Sequence, residues 1–140
     1  MIYEGVRRQN SMKSAQQPTP SELEILDILW ERGRATVREV LAEIHKRRPT
    51  TYTTILKFMQ IMQEKGLVAR DESERAHVYR PTQTRRQMQK KLVGSLLDRA
   101  FRGSALGLVQ HVLETKPASK QELDEIRKMI DAAEAKGGKR

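Results

Sequence analysis

The chain has 140 residues, 27 of them Lys or Arg against 18 Asp or Glu, for a net charge of +9, a length that holds one domain or two very small ones and excludes a large enzyme. There is no cysteine, which excludes disulfides, thiolate metal sites, iron–sulfur clusters and cysteine nucleophiles, and no apolar run approaches the roughly 18 residues of a membrane helix. Hydrophobic residues make up 37% and aromatic residues 4%, so the core is lean enough for oligomerisation to supplement it, and a pI near 10.1 favours a polyanionic partner, nucleic acid first.

Met1 to Gln17 are polar, lack periodicity and carry no apolar stretch of signal-peptide type, so they read as a disordered extension of a soluble, cytoplasmic protein, with Met12 as an alternative start. From Thr19 the pattern changes. Thr19 and Glu22 form a capping box around Pro20, and a helix to about Glu31 carries Leu23, Leu26, Leu29 and Trp30 on one side, widened by Ile25 and Ile28, before Gly33. A second capping box, Thr36 with Glu39, opens a helix whose Val37, Val40, Leu41 and Ile44 follow the i, i+3, i+4, i+7 spacing and which stops by Pro49. The third helix starts at Thr50 or Thr51, runs to Lys65 and ends at Gly66, with Ile55, Phe58, Met59 and Met62 facing the core. Leu67–Asp71 and His77–Arg80 then read as a two-stranded hairpin closed by Pro81. Beyond it every strong signal is helical: roughly Thr84 to Phe101, Ser104 to Glu114, and Lys120 to Ala135, the last opened by Ser119 and Glu122.

Three helices and a hairpin within about 65 residues make a winged helix-turn-helix, in which the third helix enters the major groove. The predicted fold is mainly α with a small β-hairpin: a winged helix-turn-helix followed by a three-helix dimerisation arm. Opposite the core face, the third helix presents Thr53, Leu56, Lys57, Gln60 and Glu64. Lys57 suits guanine or phosphate, Gln60 adenine, and Leu56 a thymine methyl. The N-terminal turn adds Thr51, Tyr52 and Thr54 for phosphate oxygens. Such residues are also ordinary on a solvated helix face; the surrounding charge favours DNA, because Arg32, Arg34, Arg38, Lys46, Arg47, Arg48 and Lys57 outnumber Glu39 and Glu43 between positions 32 and 57. Arg38 and, at the hairpin tip, Arg75 complete the candidate DNA-contacting set, although Glu72 and Glu74 flank Arg75.

In the C-terminal half, Leu96, Leu97 and Phe101, then Leu108, Val109 and Val112, then Leu123, Ile126, Met129 and Ile130 form three short apolar stripes suited to packing on a symmetry mate; an independent three-helix bundle is the alternative. The basic cluster Arg85, Arg86, Lys90 and Lys91 reads as a solvated face that could reach flanking phosphates. The histidines at 45, 77 and 111 are not at metal-ligand spacing, and no glycine-rich phosphate loop or nucleophile–histidine arrangement is present, so no enzyme, cofactor or metal is expected. The competing function is a winged-helix protein-interaction module without sequence-specific DNA binding.

The stretches PTPSELEILDILWERGRATVREVLAEI and YTTILKFMQIMQEKGLVARDESERAHVYRP resemble the DNA-binding half of the penicillinase-repressor family, which also contains methicillin-resistance and copper-responsive repressors. LLDRAFRGSALGLVQHVLE and SKQELDEIRKMI resemble its dimerisation half. The resemblance covers Thr19 to Ile130, with Tyr52-Thr53-Thr54-Ile55 and Glu64-Lys65-Gly66-Leu67-Val68 as its most specific blocks. It implies a bacterial homodimeric repressor on a palindromic operator in double-stranded DNA; the residue pattern itself divides the chain into an extension at 1–17, the DNA-binding domain at 18–81, the dimerisation domain at 82–136 and a tail at 137–140. The resemblance also implies release by proteolysis within the helix matching Ser104 to Glu114, through a protease or membrane-sensor pathway and without membrane insertion. The Asn-Phe pair cleaved in the best-known members falls on His111-Val112 here, and the cysteine motif of copper-responsive members is missing.

Overall fold

The computed structural model describes residues 17–73 and 75–137. Nearly all of the extension expected at the N-terminus, the alternative start at Met12, the tail beyond Gly137 and Glu74 in the hairpin lie outside them. The elements are α1 (Pro20–Arg32), β1 (Ala35–Thr36), α2 (Val37–His45), α3 (Tyr52–Glu64), β2 (Val68–Asp71), β3 (Val78–Pro81), α4 (Arg85–Ala100), α5 (Ala105–Thr115) and α6 (Lys120–Gly137).

Local chemistry sets these boundaries. Thr19 Oγ1 accepts from the Glu22 N–H and Glu22 Oε1 from the Thr19 N–H, and Thr36 and Glu39 repeat the arrangement at α2, satisfying donors that a helix start leaves unpaired. A further reciprocal pair, Thr84 with Gln87, opens α4; it had the capping-box spacing all along. α3 stops where Gly66 adopts φ 80°, with Leu67 N–H bonding to Met62 O and Gly66 N–H to Gln63 O, a Schellman end that a Cβ would strain.

The first helix turns slightly from its expected face. Ile25, Leu26, Ile28 and Leu29 are the buried set, whereas Leu23 and Trp30 pack only partly against the core. The core continues through Val37, Val40, Ile44, Ile55, Met59 and Met62. The hairpin is part of a larger sheet. β1, two residues long, pairs antiparallel with β3, giving the order β1-β3-β2 with Ala35 opposite Tyr79 and Arg70 opposite Tyr79 on the other side. β1 thereby ties the start of α2 to the wing.

The chain divides into two compact units after Leu92, eleven positions beyond the division expected at Pro81. The first turns of α4 explain the difference. Met88 is buried and Leu92 packs against the same core, the Trp30 indole N–H donates to Gln83 O at 2.9 Å, and Arg85 lies over the Trp30 ring while bonding Asp27 at 2.6 Å and Glu31 at 3.0 Å. In the second unit, no described residue from Val93 onward is buried.

Candidate nucleic-acid interface

α3 is buried along Ile55, Met59 and Met62 and exposed along the opposite side, as its 3.6-residue period requires. Thr53, Lys57 and Gln60 lie on the exposed side, preceded by Thr51, Tyr52 and Thr54. Thr51 caps the helix, accepting from the Thr54 N–H at 3.2 Å, and its hydroxyl lies 2.9 Å from that of Thr54. The two hydroxyls thus form a fixed pair beside the positive end of the helix dipole. Leu56 departs from expectation. It is half-buried and packs against the core, leaving only part of its side chain for a thymine methyl.

Leu56 also lines a groove of about 240 Å³ between α3 and the wing, together with Thr36, Arg38, Tyr52, Arg75, His77 and Tyr79. The Arg38 guanidinium lies 5.2 Å from the centre of the Tyr52 ring, a cation–π contact that steadies a long side chain without consuming its hydrogen-bond donors. Arg38, Tyr52 and Arg75, proposed separately from sequence, therefore share one groove. Thr36 and His77 join them, and sequence reasoning had given neither a DNA-facing role. Thr36 was legible as a cap, but its place beside the wing depends on β1, too short to leave a pattern.

The positive charge is less available than the residue count suggested. Arg32 pairs with Glu39, and Lys46 with Glu43 at 3.1 Å. Arg47 and Arg48 both bond Glu24 of α1, Arg47 at 3.0 Å. Glu24 lay outside the sequence window from Arg32 to Lys57 that gave the favourable balance. The Arg48 hydrogen bond, aided by Arg47 and opposed by partial burial, holds the Glu24 carboxyl below its ordinary range. The Thr36 backbone N–H, followed by Arg32, does the same for Glu39. Among the described residues Lys57 makes no ion pair, which leaves it, the stacked Arg38 and Arg75 of the groove as cations placed for an incoming polyanion.

A sequence profile described as penicillinase repressor matches residues 18–132. The chain belongs to the penicillinase repressor family. Among relatives, the transcriptional regulator BlaI of Mycobacterium tuberculosis is 32% identical over 121 residues, covering 85% of this chain and 86% of the relative. The penicillinase repressor of Bacillus licheniformis is 24% identical over 120 residues, covering 86% and 94%. The methicillin resistance regulatory protein MecI of Mammaliicoccus sciuri is 21% identical over 111 residues, covering 79% and 90%. The solution structure of the DNA-binding domain of the repressor BlaI aligns with a TM-score of 0.45 and 25% identity over 49% of this chain and 84% of that one.

The second unit of this penicillinase repressor family member sorts its expected contact residues into two groups. Leu97, Phe101, Leu108, Leu123 and Ile126 are half-buried, whereas Leu96, Val109, Val112, Met129 and Ile130 are exposed. Val93, Leu106 and Leu113 are also exposed and extend the apolar surface beyond the residues singled out from sequence. Among the described residues no helix is long and apolar enough to cross a membrane.

Proposed function

We propose that this chain is a homodimeric, sequence-specific transcriptional repressor that binds a palindromic operator in double-stranded DNA. The observation that carries the reading is the exposed side of α3, where Thr51, Tyr52, Thr53, Thr54, Lys57 and Gln60 stand together on a helix whose opposite side is locked into the core. Membership of a family whose relatives are named as repressors supports it. In this reading Lys57 and Gln60 read base edges, the threonines and the helix N-terminus bind phosphate, and Arg38 and Arg75 grip the backbone from the groove beside the wing.

Dimerisation is assigned to the second unit, where exposed Leu106, Val109, Val112 and Ile130 give an apolar surface that a symmetry mate would cover. The protein works in the cytoplasm as a regulator and not as an enzyme. Release follows proteolysis within Ser104 to Glu114, which separates the DNA-binding half from part of its dimer contacts; the exposure of His111 and Val112 on α5 supports this. The size of the chain in cells before and after induction tests that step, and a full-length chain that leaves its operator overturns it.

A footprint on the DNA flanking the gene for this chain tests the main reading. Two protected half-sites on one face of the duplex are expected, and inserting about 5 bp between them should abolish tight binding. Equal affinity for flanking and random DNA would favour the protein-interaction alternative.

A further inference from the structure

Glu24 on α1 holds two cations at once. One carboxylate on the first helix reaches across 23 and 24 positions of sequence to two consecutive arginines in the segment leading into α3. Arg47 donates from Nη1 to Oε2 at 3.0 Å, and Arg48 donates from Nη1 to Oε2 at 3.1 Å and from Nη2 to Oε1. The Glu24 side chain is 19% exposed and the two arginines 49% and 51%, so the anion lies beneath and the cations face outward. Arg48 also lines a cavity with Thr50, Thr51 and Thr54 at the start of α3, the turn assigned above to phosphate.

We propose that Glu24 withholds Arg47 and Arg48 from DNA phosphates and so lowers affinity for DNA of any sequence, setting how tightly the repressor holds DNA without altering which site it prefers; this rests on the repressor reading. A phosphate approaching the start of α3 meets two guanidiniums whose charge is half cancelled and three of whose N–H donors are occupied. Phosphate contact carries no sequence information, and its affinity adds to operator and non-operator DNA alike. Lowering both affinities by one factor leaves the preference for the operator intact while shortening the time spent on each of the many non-operator sites. The specific contacts from Lys57 and Gln60 are untouched by this restraint, because neither residue bonds Glu24.

The test is Glu24→Gln, which keeps shape and one acceptor but removes the charge. Affinity for a random duplex should rise about three- to tenfold near 0.1 M salt, and the slope of log affinity against log salt should steepen by about 0.9 to 1.8, the contribution of one or two phosphates. Operator affinity should rise by the same factor, leaving discrimination unchanged. Glu134→Gln, which removes the same charge from α6, should change neither slope nor discrimination. Arg47→Ala with Arg48→Ala in the otherwise unchanged chain gives an independent reading: the salt slope should stay nearly constant, because withheld arginines contribute little. Weaker binding by Glu24→Gln would show that Glu24 orients the arginines for DNA and would overturn the proposal, as would an unchanged salt slope or a large loss of slope in the double arginine variant. If the unchanged chain fails to distinguish operator from random DNA, the repressor reading fails, while the random-duplex measurement still decides whether Glu24 restrains the arginines.

Discussion

The two units of this chain are both built mainly from helices and differ in what those helices bury. In the first, α1, α2 and α3 close over Leu29, Val40, Met59 and Met62, each fully shielded from solvent, and a three-stranded sheet and the first turns of α4 complete the enclosure. In the second, α5 and α6 have no buried residue, and Leu106 is 80% exposed and Met129 67%. Each apolar side chain moved from water to a core contributes about 1.5–3 kcal/mol; the first unit collects that contribution repeatedly and the second hardly at all. Sequence periodicity looks the same in both, because an amphipathic stripe records that a face is covered, not whether its cover lies in the same chain. A first half with its own closed core can keep its fold whatever happens to the second.

The sharpest way to break this comparison is to cut the chain at its own division. A fragment ending at Leu92 retains Met88, Gln83 and Arg85 and should fold as a monomer, with operator affinity about 10²–10⁴-fold below that of the full chain because two linked half-sites become two separate events. Sedimentation and DNA titration check this, and a dimeric fragment would relocate the interface. Ending at Pro81 instead removes the partners of Trp30 and the buried Met88. That shorter fragment should melt at a lower temperature, the loss of Met88 packing alone costing about 2–5 kcal/mol.

Single truncations should separate the units in the same sense. Leu29→Ala empties a site with no solvent contact and should lower stability by about 2–5 kcal/mol at every protein concentration. Val109→Ala, at a residue 45% exposed, should leave the melting of the first unit within the full chain unaffected and raise the dimer dissociation constant. Equal losses at both sites in dilute monomer would mean that the second unit has a core of its own.

Within the first unit, the side that reads should differ from the side that holds. Lys57→Ala or Gln60→Ala should cost about 1–3 kcal/mol at particular operator bases if the contact is bidentate, while leaving random-DNA affinity nearly constant. Arg75→Ala should weaken all sequences alike and reduce the salt slope by about one. Competition with base-substituted operators distinguishes the two patterns.

Much of the first unit was legible because its signals are local. The Thr19–Glu22 and Thr36–Glu39 boxes, the α3 stripe and Gly66 each lie within a few residues of the structure they dictate. The remainder depends on contacts between distant residues. β1 is two residues whose pairing with β3 is fixed only when the wing folds back, and Pro81 looked like a domain end because proline closes a strand, yet Gln83, Arg85 and Met88 return to α1. The exposed residues of α3 could be identified from the side opposite Ile55 and Met62. The pairing of Arg47 and Arg48 with Glu24 could not, since nothing in a charge count over residues 32 to 57 points to a carboxylate in the preceding helix. Nor does an apolar residue such as Leu106 announce that its cover is missing.

The smallest expected effect concerns acid, and it falls on the first unit's ion pairs. Glu24 and Glu39 are held below the ordinary glutamate value of 4.5, Glu24 chiefly by Arg48 and Glu39 chiefly by the Thr36 backbone N–H. In the unfolded chain both lose these partners and bind protons near 4.5. Their contribution to stability is therefore fully present above that pH and is lost as pH falls through the lower folded values, where the folded form must also take up the protons. Arginine partners that are 39% to 51% exposed keep the contribution of each pair small, and added salt should shrink it further. In the Leu92-terminated unit, Glu24→Gln should flatten the fall in melting temperature as pH drops below about 4.5, and Glu39→Gln should flatten it independently through the α2 cap. An unchanged acid profile in both variants would assign the acid sensitivity of this unit to other carboxylates.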